Sequence, residues 1–158
     1  RILDILQEDA RRSPELIATL LGAQPEVVEK AIAEMEADKM IVQYVPIVNW
    51  NKTEGDKVTA LIEVQITPER GHGFDKIAER IYLFPEVKSV FLMSGAYDLL
   101  VEVEGRSLKD VALFVSQRLS SIDRVLSTKT HFILKKYKQY GVILEDGEQG
   151  DHRLVVSP

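Results

Sequence analysis

The chain has 158 residues, 45% of them apolar and none of them cysteine, which suits one or two small domains and excludes disulfides, thiolate metal sites and a cysteine nucleophile. Its apolar runs, such as residues 41–42 and 99–101, are far too short to cross a bilayer, and no charged-then-apolar leader precedes the first helical pattern. Charge is net negative, and residues 1–50 hold five Lys/Arg against nine Asp/Glu, an unfavourable start for binding phosphates.

Three short helices open the chain. Ile2, Ile5 and Leu6 form one apolar stripe. Ser13, Pro14 and Glu15 then restart the chain: the serine can cap, the proline supplies the first helical φ, and the carboxylate meets the positive end of the dipole. This second helix is expected over 14–21, stopping at Gly22, which tolerates the left-handed conformation of a helix end. A third begins near Pro25, with Val27, Val28, Ala31, Ile32 and Met35 spaced to bury one face. After Asp38 the pattern becomes β-rich, through Met40, Ile41, Val42, Tyr44, Val45, Ile47 and Val48. The polar, Gly55-bearing stretch that follows sets a boundary, giving a domain over 1–49 and a linker over 50–57.

From Val58 the order strand, helix, strand occurs twice. Val58, Ala60, Ile62, Val64 and Ile66 alternate with polar residues, and Phe74, Ile77, Ala78 and Ile81 make a helical stripe ending before Pro85. A second strand is expected over 87–94, and Leu99, Val101 and Val103 begin a third. Leu108, Val111, Ala112, Val115 and Leu119 form another helical stripe, and the fourth strand is expected over 125–136. The resulting βαββαβ order over 58–138 is the ferredoxin-like plan, with two helices on one face of an antiparallel sheet. Residues 139–158 are left as a tail with an acidic middle and an apolar end at Leu154, Val155 and Val156, either folding back as a hairpin or fraying.

Several large apolar residues fall on the sheet face that the helices leave open: Leu61, Leu100 and Ile133, with either Phe91 and Met93 or Val90 and Leu92. An apolar second face calls for another subunit, so a homodimer at least is expected. His72, His131 and His152 are far apart and lack partners at ligand spacing, so no metal site is expected. The RGHG of residues 70–73 lacks the lysine of a phosphate loop, and no nucleophile-elbow motif occurs. Neither an enzyme nor a cofactor is expected.

The order of these elements and their local motifs resemble the Lrp/AsnC, or feast/famine, transcriptional regulators over nearly the whole chain. ILDILQEDAR (2–11), SPELIATLLG (13–22) and PEVVEKAIAEMEADKMIVQY (25–44) resemble that family's first, second and third helices with the linking strand. SGAYDLLVEVEG (94–105) resembles its G-x-[YF]-D signature, and VLSTKTHFILKKYK (125–138) its last strand. The resemblance implies an α+β chain: an N-terminal three-helix winged helix-turn-helix domain, joined by a linker strand to a ferredoxin-like βαββαβ domain called RAM. It further implies a cytoplasmic regulator that binds double-stranded DNA as a homodimer, tetramer or octamer and senses a small effector, in this family often an amino acid.

By position in the motif, the third helix would enter the major groove, with Arg11, Arg12, Gln24 and Lys30 as the candidate DNA contacts. Its outward Glu26, Glu29 and Glu34 depart from the family's usual Ser/Thr/Arg-rich helix, so a metabolite-sensing oligomer with weak or absent DNA binding stands as the alternative. The matching effector positions are Ser94, Gly95, Ala96, Tyr97 and Asp98, with Thr128 and Thr130. An amino acid needs a carboxylate for its ammonium and donors for its own carboxylate, which Asp98, the backbone N–H groups of the turn and a threonine hydroxyl could supply. Alternatively, Gly95 and Asp98 only shape a hairpin.

Overall fold

The computed structural model describes residues 1–145 apart from Glu54, Asp56, Glu69 and His72. The chain divides into two compact units, Arg1–Ile47 and Val48–Pro158.

The first unit holds α1 (Ile2–Glu8), α2 (Pro14–Leu21) and α3 (Pro25–Ala37). The Ser13 hydroxyl accepts the Leu16 N–H at 3.3 Å, and Gly22 closes α2 at φ 65. Ala23 N–H then donates back to Ala18 O at 3.0 Å, so the orphaned carbonyls of the last turn are satisfied before α3 starts. The core of this unit is small: Leu6, Ile17, Ala18 and Val28 are buried, with Ile2, Ile5, Leu21, Ile32 and Ile41 packed around them.

One expected core residue is not in it. Val27 is 62% exposed, because the inward stripe of α3 is Val28, Ala31, Ile32 and Met35, and a helix turns about 100° between Val27 and its neighbour. The strand expected after α3 also does not form, since residues 40–49 have no ladder partner among the described residues, and no strand pair builds a wing there. A β-rich segment becomes a strand only when a neighbour accepts its hydrogen bonds. Its start is nevertheless fixed: Met40 and Ile41 N–H both donate to Met35 O, and the Tyr44 hydroxyl donates to Glu36 Oε1 at 2.9 Å. Partial desolvation and then that carboxylate raise the Tyr44 phenol above its ordinary value.

The second unit contains β1 (Val58–Ile66), α4 (Asp75–Tyr82), β2 (Val87–Leu92), β3 (Leu99–Gly105), α5 (Leu108–Phe114) and β4 (Val125–Phe132). The four strands form an antiparallel sheet in the order β2-β3-β1-β4. Ala60, Ile62 and Val64 of β1 and Leu99, Val101 and Val103 of β3 are essentially inaccessible, packed under Ile77 and Ile81 of α4 and Val111 and Phe114 of α5. The helical stripe from Leu108 to Leu119 divides in two: α5 ends at Phe114, and Val115–Leu119 continues as a π-helix that still buries Val115 and Leu119. Arg118 of that segment pairs with Glu86 and lies over the Phe84 ring at 4.4 Å, with Phe84 edge-on to Phe114 at 5.4 Å. Helix end and sheet edge are thereby tied together.

The fourth strand stops at Phe132 rather than Lys136, and the second at Leu92 rather than Ser94. Ile133 N–H still reaches Thr59 O at 2.9 Å, but β1 begins at Val58, so nothing is left for residues beyond to pair with. The chain instead makes a small hairpin, β5 (Lys138–Gln139) with β6 (Val142–Ile143), turning through Tyr140 and Gly141, both at positive φ. Leu154, Val155 and Val156 of the expected tail lie outside the described residues.

Register resolves which apolar residues face away from the helices. Phe91 lies opposite Leu100 and Val90 opposite Val101, so Phe91 joins Leu61, Leu100 and Ile133 on the open face while Val90 packs into the core. That face is less uniformly apolar than expected. Glu63 meets His131 at 2.9 Å, Ser89 donates to Glu102 at 2.9 Å, and Lys57 sits 3.7 Å from Glu104.

Gly105 ends β3 where α5 packs most tightly: a Cβ built there would lie 2.9 Å from the Val111 Cγ2, itself buried. Gly105→Ala should therefore destabilise this unit by about 1–3 kcal/mol, the usual range for overpacking, read as a lower urea midpoint at unchanged slope.

Candidate functional site

The signature turn is a junction of three strands. Met93 N–H, just past β2, donates to Asp98 O at 2.8 Å, and Asp98 N–H, just before β3, donates to Val64 O at 3.1 Å. The Asp98 carboxylate then reaches across to β1, where its Oδ2 accepts the Ile66 N–H at 2.9 Å. One half-buried residue thus fastens the C-terminal end of the central strand to the turn. Ser94, Gly95 and Ala96 are exposed around it, and Tyr97 is half-buried. Gly95 has ordinary φ, and a Cβ there would meet nothing within 4 Å, so no close approach within this chain calls for glycine.

The other two expected residues are at the same end of the sheet but do not converge on the turn. Val64 lies between Leu99 on one side and Thr128 on the other, so Thr128 is two strand spacings from the turn's exit, about 9–10 Å at the backbone. Thr130 is one pleat farther in, opposite Ile62. Both threonines share the phase of the helix-facing residues, and Thr128 Oγ1 is 3.4 Å from the Ser120 Oγ. What joins β4 to the turn is a relay on the opposite face: Ser127 Oγ donates to Gln65 Oε1 at 2.8 Å, and Gln65 Nε2 donates to Ala96 O at 3.1 Å. Sequence reasoning missed Gln65 and Ser127, whose only signal is alternation and whose pairing requires the register.

The candidate DNA contacts lie on the first unit. Arg11 and Arg12 occupy the connection between α1 and α2, Gln24 precedes α3, and Lys30 is on α3. Each cation already has an acid beside it: Arg11 Nε is 3.4 Å from Asp9, Arg12 Nη2 is 3.1 Å from Glu8, and Lys30 Nζ is 3.8 Å from Glu34. The Arg11 backbone N–H, then its side chain, holds the Asp9 carboxyl below the usual carboxylate range. Arg11 and Lys30 remain largely exposed, while Arg12 is mostly covered. Gln24 makes no side-chain hydrogen bond to cap α3, which leaves its amide at the surface.

A cleft of about 490 Å³ opens at the other end of the sheet, between the end of β3 and α5, walled by Val103, Phe114, Glu86 and Arg118. Since the signature turn sits at the C-terminal end of β1 and Gly105 pairs with Val58 at its start, this cleft is remote from the turn. Among the described residues no cluster of three or more His, Asp or Glu could hold a metal ion, and no helix is long and apolar enough to cross a membrane.

Replacing Asp98 by Ala should leave the Ile66 N–H without its acceptor and cost about 1–3 kcal/mol in chemical denaturation, with Asp98→Asn, which keeps an oxygen there, recovering most of it. An alanine variant as stable as the parent would remove the fastening role.

Residues 59–143 match the family model described as the Lrp/AsnC ligand binding domain. The chain is 51% identical to the HTH-type transcriptional regulator YugG of Bacillus subtilis (strain 168), itself uncharacterised, over 99% of this chain and 95% of that one. Among solved structures it is similar to AsnC of E. coli, with TM-score 0.68 at 19% identity over 87% of this chain and 91% of that one. It is also similar to a transcriptional regulator of Neisseria meningitidis in complex with L-methionine, with TM-score 0.67 at 22% identity over 87% and 88%. With three helices before a four-stranded antiparallel sheet, and this agreement along nearly its whole length, the chain belongs to the Lrp/AsnC family.

Proposed function

We propose that this chain is a transcription regulator that binds duplex DNA through α3 and Arg11 as a homo-oligomer, and that an amino acid bound near the Ser94–Asp98 turn adjusts its assembly. The observation that carries the DNA half is the geometry of α2 and α3. The two helices are joined by the Gly22 turn and share one small core, so that α3 presents a whole outer face. In such a motif the second helix enters the major groove. The ion pairs on Arg11 and Lys30 do not forbid this, because exposed pairs are worth only about 0–1 kcal/mol and a phosphate can replace the carboxylate.

The oligomer is supported by the open sheet face, where Phe91 is 51% exposed opposite Leu100 and Leu61 lies on the same face of β1. The effector half rests on the turn and its relay. The groups available to a ligand in this reading are the backbone N–H groups of the exposed residues 94–96 and the second oxygen of Asp98. The two threonines lie on the helix-facing side of β4 while the relay to the turn runs on the other face, so in this reading a second subunit completes the site. L-methionine, held by the Neisseria regulator, is the first effector to test.

Two measurements test the reading. Binding to duplex DNA should weaken steeply with salt, by about 0.9 in log K per log unit of salt for each phosphate neutralised. Two copies each using Arg11 and Lys30 predict a slope of about −3.6, and Arg11→Ala should reduce its size by about 1.8. No binding at low salt, with or without amino acids, would leave the metabolite-sensing oligomer as the better reading. Separately, titrating the protein with an amino-acid panel in a calorimeter should give heat with at least one member, accompanied by a change of assembly size in sedimentation. Silence in both readouts would end the sensing proposal.

A further inference from the structure

We infer that Val27 is a specificity residue that reads the 5-methyl group of a thymine in the bound operator; this rests on the DNA-binding reading above. Val27 is the third residue of α3 and 62% exposed, while Val28 beside it is 1% exposed, so its outward orientation is unambiguous. The exposed residues on its side of the helix are Gln24, Lys30 and Glu34, all polar or charged. A β-branched apolar residue there lies outside the buried core and is a weaker helix former than Glu26, Glu29 and Lys30.

Position supplies what the core does not. The N-terminal residues of a helix placed this way are the ones that reach base edges. The major groove offers an apolar side chain one apolar partner, the thymine methyl. Gln24 is exposed one turn before, at the same end of the helix, and its amide can pair with an adenine edge. The helix end therefore carries one apolar and one amide reader, both suited to A·T pairs. Its carboxylates Glu26 and Glu29 can accept only from base amino groups, those of cytosine or adenine.

The test uses the full chain. Duplexes are selected by the protein from a random-sequence library at low salt, and each thymine of the selected site is replaced in turn by deoxyuridine, which removes only the methyl group. The parent should lose about fourfold in affinity at one thymine per half-site, equivalent to about 0.8 kcal/mol, the value of one buried methylene. Val27→Ala, which raises helix propensity and shortens the apolar side chain, should narrow the gap between thymine and uracil there while keeping the parent's salt slope.

Three results would overturn the inference. Deoxyuridine could be neutral at every position in the parent, or its penalty could survive unchanged in Val27→Ala. Alternatively, the variant could change assembly size while keeping the thymine preference, which would assign the valine to a subunit contact. In all three the DNA-binding reading survives, whereas a chain that selects no sequence and binds no duplex loses both.

Discussion

The central strand constrains everything in the second unit. β1 is paired on both edges, with β3 and β4, and its alternate residues Ala60, Ile62, Val64 and Ile66 are all buried. A strand fixed on both edges with one face wholly in the core cannot slip by a residue without turning its buried set outward. That register decides in turn that Leu99, Val101 and Val103 face the helices, that Phe91 and Leu100 do not, and that Gln65 stands between Ser127 and Ala96. Asp98 secures the exposed end of the same strand by taking the Ile66 N–H. The signature turn is thus a structural fastening first, and any ligand role must use the groups this fastening leaves over.

The first unit works under an opposite constraint. Its core is small, and its surface is dominated by acids, so each of its candidate phosphate contacts has a carboxylate within 4 Å. Such pairs lower the long-range attraction of the unit for a polyanion, since the local field is nearly cancelled before DNA arrives. Close to the duplex the balance changes. A phosphate backbone at high charge density competes directly with a solvated carboxylate, and release of condensed counterions adds an entropic gain that an intramolecular pair cannot match. On the proposed reading such a regulator depends on multivalency, because each subunit alone would neutralise few phosphates.

Much of this was legible in the residues. Ser13, Pro14 and Gly22 place α2 to the residue, and alternation places β1 to the residue, because caps and period-two burial are local properties. What failed was non-local. Val27 fits a loose apolar stripe as well as a strict one, and only packing against Ile17 and Ala18 in one small core decides between it and Val28. The segment after α3 has strand composition, yet composition cannot supply a neighbour to pair with. The ends of β2 and β4 depend on where their partners stop, and the separation of Thr128 from the turn follows from β1 lying between β3 and β4, an order that sequence leaves open.

The unmet hydrogen-bonding and apolar capacity of this chain has one direction in common. Residues 42–48 carry Val42 and Val45 at 79% and 70% exposure with no ladder partner among the described residues, and the sheet shows Phe91 and Leu100 on its open face. An isolated subunit would leave these backbone groups to water and this apolar surface uncovered, whereas a second copy can satisfy both, since a self-complementary interface presents each surface to its own equivalent. The same logic reaches the signature turn, whose exposed residues 94–96 are separated from the threonines of β4 by the intervening β1. On the proposed reading assembly completes the site, and ligand affinity and oligomer size are then linked: whatever an amino acid gains from a completed site appears, by reciprocity, as stabilisation of the assembly that completes it.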